Sequence, residues 1–251
     1  MTALHYVIVA LAALFLGGFV SRAAYALPRG EYKEILFPKC HSCGRDLPQK
    51  SLIPILGAIL TFRCPKCGEK QGVRALVSEL LLAAAFLLLR LVYGFDYLFF
   101  VYAVLASVLL LLSLIDLDIR EILHSLLFVV LALGVMTFVF SFFSFSRTGT
   151  VWWEHLVGAA VISVPLFLLM MFTGGVGGGD VKLMFCLGLL LGYKLTLVAF
   201  FFGIILAALV AVVLRVAFGK GAKYQLPLVP FLSLGAMIAL LVGEKLIAAL
   251  F

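Results

Sequence analysis

Eight apolar runs follow one another along this chain, and they leave few folds open. A backbone in hydrocarbon has no water to bond its N–H and C=O groups, so only helices and closed barrels can cross a bilayer. The runs are continuous rather than alternating, which favours helices. They cover roughly Ala3–Val20, Ala75–Val92, Leu98–Ile115, Ile122–Phe143, His155–Phe172, Val181–Leu191, Leu195–Phe218 and Leu228–Ala249. The chain is 65% hydrophobic and 12% charged, against about half and a quarter in a soluble domain. The expected fold is an all-α polytopic membrane protein with about eight transmembrane helices.

Charge orients the runs. Residues 21–74 carry ten of the nineteen Lys and Arg residues and four acids, Glu31, Glu34, Asp46 and Glu69. Loops rich in Lys and Arg stay in the cytoplasm. No basic residue precedes the first run, and Arg22, Arg29 and Lys33 follow it, as expected of a retained span and not of a removable signal. The formal charge of +7 is read as this asymmetry and not as a nucleic-acid surface. The expected organisation is a first helix over 1–21, a cytoplasmic loop domain over 22–74 and a seven-helix membrane core over 75–251. Alternation then puts Asp116, Asp180 and the basic turn with Lys220 and Lys223 on the cytoplasmic face. Trp152 and Trp153 fall at the opposite face, as aromatic anchors do.

Cys40-His41-Ser42-Cys43 and Cys64-Pro65-Lys66-Cys67 form a C-x2-C-x20-C-x2-C pattern. Each pair fits a tight turn, with Gly44 and Gly68 where the backbone needs freedom. Four thiolates fill a tetrahedral zinc shell and leave no open position. The expectation is a structural, zinc-ribbon-like site, with nearby Lys39, Arg45, Arg63 and Lys66 favouring the thiolates. His41 is a bystander with four sulfurs available, and Cys186 is an inert buried thiol among apolar neighbours.

The stretch Gly174-Gly175-Val176-Gly177-Gly178-Gly179-Asp180-Val181-Lys182-Leu183 joins the fifth and sixth runs. The glycines hold no regular structure of their own. They leave N–H groups free near Asp180, at the N-terminus of the next helix, which suits a carboxylate. The sixth run is short, so either the bilayer thins there or the glycine loop dips inward. Acids in spans are costly and mark function. Asp116, Asp118 and Glu121 cluster at the end of the third run, and for Asp118 and Glu121 a solvated boundary charge is an equal reading. Two carboxylates brought together share a proton. One then activates water, while the protonated one polarises a peptide carbonyl. The chain has no G-x-S-x-G, no H-E-x-x-H and no phosphate loop. His5, His124 and His155 are scattered and read as structural or interfacial.

The motifs, in their order, resemble the type IV prepilin peptidases, membrane aspartic proteases of the G-x-G-D type. Gly17-Gly18-Phe19-Val20-Ser21-Arg22-Ala23-Ala24-Tyr25-Ala26-Leu27-Pro28 is similar to G-S-F-x-N-x-x-x-Y-R-L-P. Arg74-Ala75-Leu76-Val77-Ser78-Glu79-Leu80 is similar to R-Y-P-x-x-E-L. Leu114-Ile115-Asp116-Leu117-Asp118 matches L-I-D-x-D, and Gly177-Gly178-Gly179-Asp180-Val181-Lys182-Leu183 matches G-x-G-D-x-K-L. Leu226-Pro227-Leu228-Val229-Pro230-Phe231 resembles I-P-F-G-P-Y. The resemblance implies Asp116 and Asp180 as catalytic residues, with Gly177, Gly179 and Lys182 supporting their loop and Cys40, Cys43, Cys64 and Cys67 holding Zn2+. It implies removal of the basic leader from type IV prepilins or type II secretion pseudopilins, at the cytoplasmic face of a bacterial inner membrane. Membrane lipid is a further expected partner and nucleic acid is not. It also implies N-methylation of the new N-terminus with S-adenosylmethionine. Three departures stand out: Ile122-Leu123-His124 replaces L-P-D, Ser21 or Arg22 stands for the Asn of the first motif, and Phe62-Arg63 replaces a Gly-Lys or Gly-Arg in the segment associated with methyl transfer.

Two other classes share some features. A transporter with a zinc-stabilised cytoplasmic cap would also carry broken apolar segments and mid-membrane acids, but the inverted repeats expected of one are not found. A non-catalytic scaffold would bind precursors without cutting them.

Overall fold

The computed structural model describes the chain except residues 1, 38, 41, 48–52, 61–62, 65, 69–71, 144–150, 174, 176, 220–225 and 251. His41, Glu69, the outer loop and the turn with Lys220 and Lys223 therefore lie wholly or largely outside the described residues. Two compact units are present, residues 1–115 and 116–251. Among the described residues the chain is helical, with one isolated bridge between Lys39 and Asp46. Among the described residues, seven helical spans are long and apolar enough to cross a membrane. The sixth expected span is a helix of 14 residues. At 1.5 Å per residue it reaches about 21 Å, well short of a hydrocarbon core of about 30 Å.

The first unit contains α1 (Thr2–Arg29), the short α2 (Leu56–Leu60), α3 (Gly72–Tyr93) and most of α4 (Tyr97–Ile119). The helix α1 runs beyond the apolar stretch that defines it. Ala23, Ala24 and Ala26 are buried in its extension, and Pro28 and Gly30, at φ +72°, close it. It packs on α3 where Gly17 meets the backbone of Ser78 and Glu79, too close for a Cβ. Ser78 Oγ donates to the Gly17 carbonyl at 3.1 Å. Glu79 beside it is 3% exposed and accepts the Ile55 N–H at 2.7 Å. Arg22 faces the same carboxylate and donates through Nε to the Ile35 carbonyl at 3.1 Å. Ile55 has φ +62°, a left-handed conformation costly for a β-branched residue, and its bond to Glu79 helps to hold it there.

The second unit begins at Asp116 near the end of α4. It continues with α5 (His124–Phe143), α6 (Trp152–Val161), α7 (Ser163–Thr173), α8 (Gly178–Leu191), α9 (Tyr193–Phe218) and α10 (Val229–Leu250). The helices α6 and α7 are one apolar span interrupted at Ile162. Pro165 explains the break: it has no N–H for the Val161 carbonyl, and its ring crowds that carbonyl.

The short α8 is the core of this unit. Leu183, Met184, Leu187 and Leu190 are fully buried. Gly188 meets the Gly158 carbonyl so closely that any side chain would overlap it. At the far end of α8, His155 Nδ1 lies 2.8 Å from the Leu189 carbonyl and Thr137 Oγ1 donates to the Leu190 carbonyl at 3.4 Å. Glu154 pairs with Lys194 at 3.0 Å. Buried carbonyls near a helix end need such partners, so His155 is structural. Trp153 stacks on Tyr193, with ring centroids 5.8 Å apart. Gly192, at φ +77°, then turns the chain into α9. A helix tied down at its C-terminal end in this way holds its N-terminal turn in place.

Candidate active site and metal centre

Asp180 lies in the first turn of α8. The sequence alone placed it before the helix, but α8 starts at Gly178. The N-cap is Gly177, which brings no side-chain cap, and the Asp180 carboxylate accepts the Gly177 N–H. This is the acidic half of a capping box, and the helix N-terminus favours the negative charge. Gly179 is required by crowding. A Cβ there would lie 2.8 Å from Cδ1 of Ile122, so the glycine turn rests on the turn between α4 and α5. That second turn is made by Arg120, at φ +57°, whose N–H donates to the Asp116 carbonyl at 3.0 Å. No proline is needed there.

Asp116 is 6% exposed. One of its carboxylate oxygens accepts the Val229 N–H at 3.1 Å. Val229 opens α10, so a second helix N-terminus points at an acid. The Leu226-Pro227-Leu228-Val229-Pro230 motif thus supplies a main-chain donor. The sequence showed the motif but not this use.

Asp116 and Asp180 line one cavity of about 420 Å³, together with Arg120, Glu121, Ile122, His124, Gly177, Gly179 and Lys182. The two carboxylates are close enough to repel each other electrostatically. Asp118, two residues on, is exposed and is not part of this lining. Each acid therefore keeps one fixed main-chain donor and faces the other acid across open space.

His124 was expected to be structural or interfacial. It lines the cavity, and its Nε2 lies 3.0 Å from Lys182 Nζ. The signal was there to find: His124 stands at a position where the sequence departs from L-I-D-x-D followed by L-P-D, and the other half of the contact is the lysine of G-x-G-D-x-K-L.

The four paired cysteines form a separate centre in the first unit. Their sulfurs all lie within 4.8 Å of one another, with Cys40 to Cys67 at 3.4 Å and Cys43 to Cys64 at 3.7 Å. All are free thiols. A tetrahedral zinc shell with bonds of about 2.3 Å has sulfurs ~3.8 Å apart, so the residues fit a metal ion. Both turns are alike: Gly44 N–H bonds the Cys40 carbonyl and Gly68 N–H the Cys64 carbonyl, each at 2.9 Å. Both glycines have positive φ, +67° and +75°, as the spacing implied. The N–H groups of Cys67 and Lys66 hold the Cys64 thiol down at about 6.

The comparisons with known proteins agree with these features. A model of the type IV leader peptidase family matches residues 103–212, and one of the bacterial peptidase A24 N-terminal domain matches residues 11–93. A Bacillus subtilis protein named prepilin leader peptidase/N-methyltransferase is 30% identical over 243 residues, covering 94% of this chain and 93% of its own. The chain belongs to the type IV leader peptidase family. Proteins of the same name from Stutzerimonas stutzeri and Pseudomonas putida are 26% and 28% identical, covering 89% and 84% of this chain and 78% and 74% of their own. No solved structure matches the chain. With its apolar helices, this family member is a multi-pass protein of the inner membrane.

Proposed function

We propose that the chain is an intramembrane aspartic endopeptidase that removes the basic leader from type IV prepilins or type II secretion pseudopilins, with Asp116 and Asp180 as its catalytic pair. The observation that carries this reading is the shared cavity: two acids on different helices, each fixed by one main-chain N–H, face each other. One carboxylate, ionised, takes a proton from water. The other, protonated, donates to the scissile carbonyl, so that the tetrahedral intermediate forms without a free oxyanion. The proton then passes to the leaving amine. The pair titrates as a unit, and neither residue owns a fixed role at rest. Gly177 and Gly179 shape the turn that carries Asp180, and Lys182 supports it from the next turn of α8.

The active site faces the cytoplasm in this reading, because the basic segment 21–74 sets the orientation. Glu121, in the cavity wall, is placed to meet the basic leader, whereas Glu34 is paired with Lys39 at 3.4 Å.

The metal at the cysteines is zinc in this reading. Four thiolates would complete its coordination, so it would fix the fold of the loop and supply no reactive position. The relatives' name also carries N-methyltransferase, and we infer the same second activity here, with S-adenosylmethionine as methyl donor. No residue is assigned to that donor: the glycine-rich turn is occupied with Asp180, and the divergent Phe62 lies outside the described residues.

The test is incubation of the purified protein with a prepilin-like precursor and S-adenosylmethionine, read by mass spectrometry. Cleavage at the leader junction with a 14-dalton gain on the new N-terminus is the expected result. Binding without cleavage would leave the scaffold reading, and gradient-driven uptake would support a transporter.

A further inference from the structure

A second cavity adjoins the first. It is an apolar groove of about 500 Å³ between α5, α7 and α8. Phe128, Leu131, Val164, Phe167 and Phe185 form much of its wall, and the three phenylalanines are largely exposed there. His124 and Lys182 line both cavities. The polar Ser163 in the groove is bonded back to the Ala159 carbonyl, so its hydroxyl is already engaged. An apolar groove therefore meets, at Lys182 and His124, a polar cavity that holds the two acids, Arg120 and Glu121.

We propose that the groove holds the first turns of the apolar helix that follows the scissile bond, so that the precursor lies with its helix along α5, α7 and α8 and its leader toward Glu121. This rests on the peptidase reading. A chain cut between a basic leader and an apolar helix has the same change of polarity as these two cavities. Lys182 repels a basic leader from the groove, while an apolar helix meets only apolar walls beyond it; a threshold of this kind sets direction by excluding the wrong orientation. A lipid chain fits the groove equally well by polarity, but the groove's continuity with the acid cavity favours a segment covalently joined to the bond being cut.

The test places p-benzoylphenylalanine at Phe167 of the full chain, or at Phe201 in an apolar hollow on α9, and irradiates each with a precursor in phospholipid nanodiscs. Adducts mapped by mass spectrometry should fall on the first turns of the apolar helix at Phe167 and be lost at Phe201. In parallel, Phe167→Ala should raise KM about tenfold with kcat unchanged. Adducts to lipid alone at Phe167, equal precursor adducts at both positions, or adducts on the leader would overturn the proposal. Cleavage by the unsubstituted enzyme reports separately on the peptidase reading: crosslinking at Phe167 without any cleavage would support the groove and overturn the peptidase.

Discussion

Glu79 and Asp116 are both buried carboxylates on long apolar helices, and each accepts one main-chain N–H from a distant part of its own unit. Their neighbours differ. Glu79 faces the Arg22 guanidinium, and Gly18 leaves room for its second oxygen. Asp116 also has an arginine near it, Arg120, but it shares an open cavity with a second acid. The first arrangement is complete, and it ties a loop to two helices. The second is left incomplete, with opposed like charges and space for a substrate and water. Burial of an acid marks cost in both, but only the acid that lines an open cavity can meet a substrate.

The largest effect that would separate them is on turnover. Asp116→Asn and Asp180→Asn should each lower the rate of precursor cleavage by about a thousandfold or more, while Asp118→Asn keeps most of it, as read by product mass over time. A large loss in Asp118→Asn would move the catalytic role to the exposed acid.

Glu79 should show the opposite pattern. Glu79→Ala leaves Arg22 and the Ile55 N–H without their partner and should cost about 3 kcal/mol, seen as a lower unfolding midpoint in detergent. Glu79→Gln keeps an acceptor for Ile55 and should keep cleavage. If Glu79→Gln abolished turnover at unchanged stability, the contrast drawn between the two acids would fail.

The cysteine centre gives the next effect. Metal analysis should find one zinc per chain, lost in Cys40→Ser or Cys67→Ser. The Cys64 thiol is held at about 6, far below its ordinary value, so the thiolate is favoured at neutral pH. Zinc should therefore stay bound at pH 7 and be displaced only at a pH below the value of the free thiol, where protons outcompete the metal for sulfur. Retention in strong acid, where every thiol is protonated, would show that thiolate protonation does not control the site.

The smallest effect is at the glycine turn. Gly179→Ala adds one methyl against Ile122, a strain of about 1–3 kcal/mol. Turnover should fall, and Ile122→Ala in the same chain should restore part of it.

The apolar runs made the helices legible, since nothing else lets a backbone cross a bilayer. The cysteine turns were legible down to their glycines, because a metal fixes spacing locally. The acids could be paired only through motifs, since Asp116 and Asp180 are 64 positions apart and periodicity carries no information on that contact. Two features were hidden for the same reason. The Val229 donor and the packing of Ile122 on Gly179 both join distant segments through backbone geometry. The start of α8 was also misplaced, because glycine propensity argues against a helix that tertiary packing imposes.

The most direct test of the central claim is a double-mutant cycle on Asp116 and Asp180. Cleavage by Asp116→Asn, Asp180→Asn and the double variant is measured at several pH values by mass spectrometry. If the two carboxylates act as one unit sharing a proton, each single variant loses nearly as much activity as the double. Losses that simply add, or one variant that still cleaves near the full rate, would contradict it.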